Sequence, residues 1–331
     1  MCRLLVLYTG GTIGMAATPQ GLAPLPGLLS KPLQRLAPAD VEMTVLEYPQ
    51  LIDSAAITPA HWNRMIDDIR AHYAAYDGFV IIHGTDTLAY SASVLAFALS
   101  GLGKPVVLTG AQLPLGHPRS DGWSNLADAL TVAQQADLHE VVIAFNRQVL
   151  RGCRARKLDA ASFAGFATPN APRLAEFGIA EQWQRQHWRQ AAEPFRPQRL
   201  DESVNIGCFF LTPGAGARCI GQALQAGDLH GAVLMSYGNG NAPADPVLLE
   251  GVRSLSAAGG AVLNISQVLH GAVQVGAYAA SQPLATAGAV SGGDMTPEAA
   301  LAKLHVLLSS GLRGEALRAA LSTPIAGELT A

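Results

Sequence analysis

Charge is scarce in this chain. Only 14% of its 331 residues are charged, and the formal net charge is -3. There is no basic tract, which excludes non-specific nucleic-acid binding as its business. Cysteine is also scarce. Cys2, Cys153, Cys208 and Cys219 include no Cys-x-x-Cys pair, and no paired histidine spacing suggests a metal site. Free, buried thiols are therefore expected, with no disulfide framework. No uninterrupted apolar run approaches about 20 residues, so no membrane span is expected. Met1-Cys2-Arg3 leads straight into an apolar stretch, leaving no room for a signal peptide and predicting a cytoplasmic protein. No repeat of 20–50 residues is present.

Hydrophobic residues make up 49% of the chain, enough for a large core. Short apolar runs at 4–8, 43–47, 79–82, 106–109 and 141–145 read as strands. Helical patterns lie between them, notably 59–73 and 120–134. Thr58 is a plausible cap for the first, with Pro59 at its first helical position. This alternation predicts an α/β fold with a parallel-type sheet covered on both faces. Residues 183–202 are polar and carry Pro194 and Pro197, which marks them as a linker. A second α/β set follows, with strands near 208–211, 233–236 and 262–265. Its helices are expected at 217–225, 246–257 and 297–309. The domains are thus 1–182 and a smaller 203–331.

Two strand ends carry chemistry. The run Phe79-Val80-Ile81-Ile82 is followed by His83-Gly84-Thr85-Asp86-Thr87 and then a helical pattern. In an open α/β sheet such a turn lies at the carboxyl edge, where ligands bind. Its free N–H groups favour an anion. Thr85 or Asp86 caps the helix, orients a small polar substrate, or does both. The other end is Thr9-Gly10-Gly11-Thr12-Ile13-Gly14. Its spacing is neither G-x-G-x-x-G nor a P-loop. Residues 15–31, rich in Ala, Gly and Pro, read as a mobile loop, a lid over an exposed hydroxyl. His83 sits at a buried strand end with no triad spacing and reads as structural.

Together these stretches resemble the L-asparaginase family, closest to its bacterial cytosolic type I branch. Further matches run in order along the chain. They are Asp53-Ser54, Leu108-Thr109-Gly110-Ala111-Gln112-Leu113-Pro114, Arg119-Ser120-Asp121-Gly122, Arg151-Gly152-Cys153-Arg154-Ala155-Arg156-Lys157, Ser236-Tyr237-Gly238-Asn239-Gly240-Asn241 and Gly292-Gly293-Asp294-Met295-Thr296. The resemblance implies a larger amino-terminal domain bearing the catalytic loops. It also implies hydrolysis of L-asparagine to L-aspartate and ammonia, through an acyl-enzyme on Thr12. Thr85 and Lys157 would move the proton, and Asp86 would grip the α-amino group. Ser54 beside Asp53 would hold the α-carboxylate, with backbone donors around Gly84, Thr85 and Ala111. Asn241 would approach a neighbouring subunit's site in a homodimer or homotetramer. No cofactor or metal is implied.

Two departures stand out. The family's lid tyrosine is replaced by Leu22, and the lid offers only Thr18 and Gln20 as polar substitutes; Tyr237 or Tyr278 would have to come from elsewhere. Some cytosolic relatives bind asparagine at an effector site through an arginine and a cysteine; Met235 and Val268 stand in those places here. Other readings remain open: a broader asparaginase-glutaminase, a subunit of a tRNA-dependent amidotransferase, and an amino-acid-binding homologue with weakened catalysis.

Overall fold

The computed structural model describes residues 1–18, 21–190, 194–274 and 279–330. The chain divides into two compact units, Met1–Gln198 and Arg199–Ala331.

The first unit is built on an eight-stranded sheet. Its strands are β1 (Cys2–Gly10), β2 (Val41–Ile52), β3 (Gly78–Ile82), β4 (Val106–Thr109), β5 (Val141–Phe145), β6 (Gln148–Arg151), β7 (Ala175–Phe177) and β8 (Glu181–Trp183). Their order across the sheet is β8-β7-β6-β5-β4-β3-β1-β2. The five from β5 to β2 are mutually parallel, and β6, β7 and β8 extend the sheet antiparallel. Asn146 and Arg147, at φ 49° and 60°, make the two-residue turn from β5 to β6.

Near-continuous apolar strands arise because both sheet faces are covered. Leu4, Val6 and Tyr8 of β1 join one cluster with Val80, Ile82, Val107 and residues of helix α3 (Gly122–Val132). The alternate residues Leu5, Leu7, Phe79 and Ile81 are just as buried. Helix α1 (Pro59–His72) starts at a capping box formed by Thr58 and His61, with Pro59 in its first turn. Trp62, Met65, Ile66 and Ile69 form its buried stripe. Helix α2 (Leu88–Ala98) is buried almost all round, so it is anchored firmly behind the β3 turn.

The chain moves from β1 to β2 on one side of the sheet and then to β3 on the other. The order reverses at β1, and a crevice at such a reversal lies beyond the strands' carboxyl ends. Both hydroxyl-bearing loops, after β1 and after β3, open there.

Three readings are corrected. The stretch expected as a mobile loop carries regular structure at 15–18, 21–24 and from Ser30. Met15–Thr18 pairs antiparallel with Gly21–Pro24, and a helix begins at Ser30. The α3 helix is Gly122–Val132 rather than 120–134, because Ser120 and Asp121 are engaged in the preceding turn. The four thiols are free, but only Cys153 is buried, and Cys208 and Cys219 are exposed. Within 183–202, Trp183 ends β8 and Trp188 is buried against it, its indole donating to Leu174 O. No helix among the described residues is long and apolar enough to cross a membrane.

The second unit carries a parallel sheet, β9 (Ile206–Phe210), β10 (Gly231–Ser236), β11 (Ala261–Ser266) and β12 (Val290–Ser291), in that order. Its helices are α4 (Gly216–Gln225), α5 (Pro246–Ala257), α6 (Pro297–Ser309) and α7 (Gly314–Ser322), together with a short one at Gln282–Ala287. Asp245 caps α5 and Thr296 caps α6.

Candidate active site

Glycine lets the two loops touch. Gly11 has φ 99°, and a Cβ there would lie 2.6 Å from Gly84 N. A Cβ at Gly84 would overlap the Ser54 hydroxyl. The backbones after β1 and β3 and the Ser54 side chain therefore meet in one crevice, and only glycine fits at the contact. Thr12 opens a single 3-10 turn, Thr12–Gly14, half-buried. Among the described residues its hydroxyl has no hydrogen-bond partner, so it is free to act on something that enters.

The β3 turn does not use its polar side chains as helix caps. Thr87 occupies the N-cap position of α2, and no side chain caps the helix. The Thr87 hydroxyl donates to Ser54 O at 2.8 Å, joining the turn to the loop after β2. Ser54 is 5% exposed and begins a short turn that Asp53 caps by accepting from Ala55 N at 3.0 Å. Asp53, itself exposed, thus holds the segment bearing Ser54.

Lys157 arrives from elsewhere in the sequence. Arg156 and Lys157 pair with Phe166 and Ala167 in a two-residue ladder. From there Lys157 Nζ donates to Thr85 Oγ1 at 3.0 Å and to Asp86 Oδ1 at 2.8 Å. The Thr85 hydroxyl in turn donates to Gln112 Oε1 at 3.4 Å. Thr85 is buried, whereas the Asp86 side chain is 63% exposed at the crevice mouth. One carboxylate oxygen holds the ammonium, leaving the other for a cation in solution. The crevice therefore combines an unpaired hydroxyl, a hydroxyl bonded to an amine, and an open carboxylate.

The amides of Thr85, Asp86 and Ala111 donate to no acceptor among the described residues. Ala111 is held in place by Asp121, which accepts from Gln112 N and Leu113 N and from the Asn125 side chain. These positioning roles of Gln112 and Asp121 escape sequence reading, although both lie in motifs that the sequence offers. Tyr8 is another addition. Its buried phenol lies against Gly14, where a Cβ would overlap its hydroxyl. Burial, reinforced by the Glu47 carboxylate, pushes this phenol up to about 12.

Asn241 lies in the second unit. It closes a tight turn with Tyr237 through paired backbone bonds of 2.9 and 2.8 Å. Its Oδ1 is buried without a partner among the described residues. Thr18 donates to Gly21 O and helps close the lid hairpin. Gln20 and Tyr278 lie outside the described residues. No group of three or more His, Cys, Asp or Glu side chains among the described residues could hold a metal ion.

Comparison with known proteins points the same way at both ends of the chain. The family described as "Asparaginase, N-terminal" matches residues 3–189, and "Glutaminase/Asparaginase C-terminal domain" matches 205–321. The chain is 43% identical to "L-asparaginase 1" of Escherichia coli over 98% of its own length and 97% of that protein's. It is 40% identical to the "60 kDa lysophospholipase" of Mus musculus, spanning 99% of its own length but 62% of that protein. Among solved structures, L-asparaginase I from Vibrio cholerae superposes with a TM-score of 0.90 at 39% identity. That match covers 100% of this chain and 99% of the other.

Proposed function

The chain belongs to the asparaginase family, with both of its domains present, and from that membership we propose that it hydrolyses L-asparagine to L-aspartate and ammonia. The observation that carries the reading to particular residues is the Lys157 bridge between the Thr85 hydroxyl and the Asp86 carboxylate, beside the Thr12 loop.

Asp86 takes the substrate's α-ammonium by a charge-assisted hydrogen bond. Ser54 and neighbouring amides take its α-carboxylate. Thr12 Oγ1 attacks the side-chain amide carbon, and its proton passes by way of Thr85 and Lys157 to the departing nitrogen. The C–N bond breaks, ammonia leaves, and an ester on Thr12 remains. Water adds to that ester, and its proton passes by way of the Thr85 hydroxyl and Lys157 to the Thr12 oxygen as the ester C–O bond breaks. Aspartate leaves and the Thr12 hydroxyl is restored. A hydroxyl needs such a neighbouring base at neutral pH, and free amides are suited to a developing oxyanion. No step calls for a metal or cofactor.

Asn241, with its unpaired Oδ1, would complete a neighbouring subunit's site in a homodimer or homotetramer, and the compartment would be the cytoplasm. Ammonia release by the purified chain from L-Asn, L-Gln and D-Asn, without tRNA, tests the function. Release from L-Asn is expected. Release from L-Gln at matching efficiency would make it an asparaginase-glutaminase. No release from any of the three would defeat the reading and favour a binding protein or an amidotransferase subunit. Light scattering of the eluted peak tests the assembly; a monomer at assay concentration would remove the role given to Asn241.

A further inference from the structure

The turn presenting Thr85 and Asp86 is held from behind by hydrogen bonds that the proposed chemistry does not use. His83 ends β3 and is 2% exposed. Its Nδ1 lies 2.7 Å from Gly84 O, and its Nε2 lies 2.9 Å from Ser91 Oγ on α2. Ser91 Oγ also accepts from the Trp62 indole N–H on α1, at 2.9 Å. The polarity of this series is forced. An indole N–H only donates, and a carbonyl only accepts. His83 must therefore donate from Nδ1 to Gly84 O, and its Nε2 accepts from the Ser91 hydroxyl. Each member is satisfied and buried, so the imidazole has one tautomer and one orientation.

A trans peptide sets its C=O and the following N–H on opposite sides. Fixing Gly84 O towards His83 fixes the Thr85 N–H on the far side, where it meets no acceptor among the described residues. We propose that His83 is a positioning residue, locking the Gly84–Thr85 peptide so that the Thr85 N–H is aimed at a substrate oxygen, with Ser91 and Trp62 holding the imidazole tautomer. That the oxygen belongs to asparagine rests on the function proposed above. Burial lowers His83 to about 4, so the ring stays neutral through the neutral range and acts by geometry rather than by exchanging a proton.

The test compares the full chain with its His83→Phe, His83→Asn and Ser91→Ala variants. His83→Phe keeps a ring of similar size and removes the donor. It is expected to lower kcat roughly 10- to 100-fold, with the dissociation constant for aspartate within about threefold of wild type. His83→Asn places an amide N–H where Nδ1 stood and should recover most of the lost turnover. Nitrogen-15 spectra of the wild-type imidazole at pH 7 should show Nδ1 protonated and Nε2 bare. Ser91→Ala should produce a tautomer mixture and a smaller fall in kcat, a reading that stands even if His83→Phe fails to fold. The proposal is overturned by a folded His83→Phe protein with kcat within twofold of wild type. An Nε2-protonated wild type, or a folded His83→Asn no better than His83→Phe, overturns it too. If the wild type released no ammonia from asparagine, the functional reading would fall, while the tautomer measurement would still judge the lock.

Discussion

Thr12 and Asp86 differ in what their loss should do. Thr12→Ala removes a hydroxyl that has no hydrogen-bond partner among the described residues, so folding and ligand affinity should persist while turnover falls by about three orders of magnitude or more. Aspartate binding by calorimetry beside ammonia release checks both halves; near-normal turnover would refute the assignment. Asp86→Ala leaves an ammonium unpaired in the bound state, so the affinity for aspartate should drop by roughly tenfold or more. Two other side chains contribute to acid stability in opposite senses. His83, lowered to about 4 by burial, binds a proton more readily when the chain is unfolded. Its contribution is therefore complete above about pH 6.5 and is lost as pH falls towards 4. Asp128 acts in the opposite sense. Burial raises its carboxyl to about 6, against the lowering by Arg147, so the folded state holds its proton more tightly and stability declines as pH rises from about 4 to 6. Incomplete burial of Asp128 weakens that opposing slope through solvent screening. Asp128→Asn should hence steepen the loss of stability on acidification from pH 6.5 to 4.5, read as urea midpoints. An unchanged slope would mean that Asp128 titrates normally.

Among the elements, the lid and the chain terminus can each be probed alone. Leu22 lies on the second strand of the lid hairpin with its side chain exposed, and Leu25 N anchors the hairpin base to Gly14 O. Gly27 N, just beyond, is held by both oxygens of Glu47. A leucine excludes water but makes no hydrogen bond to Thr12. Leu22→Tyr should raise turnover by roughly one order of magnitude with little change in aspartate affinity. If turnover stays flat or falls while the fold is retained, position 22 is not where a tyrosine serves this chemistry. At the other end, Lys303 on α6 is wholly buried with Glu328, and its ammonium also donates to Leu321 O and Thr323 O. Glu328→Ala removes the carboxylate 2.7 Å from that buried ammonium, so a loss of about 3–5 kcal/mol in denaturant unfolding is expected; a change under about 1 kcal/mol would show that other groups or water replace it. The elements also show why some of the chain was legible and some was not. Pro59, Pro246 and Pro297, each behind a capping residue, announce α1, α5 and α6 to the residue. The lid hairpin has no alternation, because its small residues bury little, and β2 was read short because it is an edge strand with a mixed burial pattern. The loops bearing Thr12, Thr85 and Asp86 were visible as glycine and hydroxyl residues at strand ends. Gln112, Asp121 and the His83–Ser91–Trp62 series were not, since their meaning lies in hydrogen bonds across 8 to 29 positions of sequence.

At the scale of the whole molecule, the hydroxyls, the lysine and the open carboxylate all belong to the first unit, while the second holds Asn241, Met235 and Val268. A distal asparagine site in that second unit would have to take an α-carboxylate. Taking it out of water without a cation or several converging N–H donors is unfavourable. Met235 lies in β10 between Phe210 and Ile265 of the neighbouring strands, and a thioether offers such an anion nothing. Val268 is 55% exposed and apolar. An effector must also bind one state of the protein better than another, commonly by about 1–3 kcal/mol of differential contact. Neither side chain supplies a charged contact to make that difference. The rate should therefore rise hyperbolically with asparagine concentration, with a Hill coefficient of about 1. Initial rates from well below to well above half-saturation, at fixed enzyme concentration, decide the matter. A sigmoidal curve that persists when enzyme concentration is varied, together with asparagine bound in the second unit of a crystal, would show that other groups there hold the carboxylate and that the loss of the arginine is compensated.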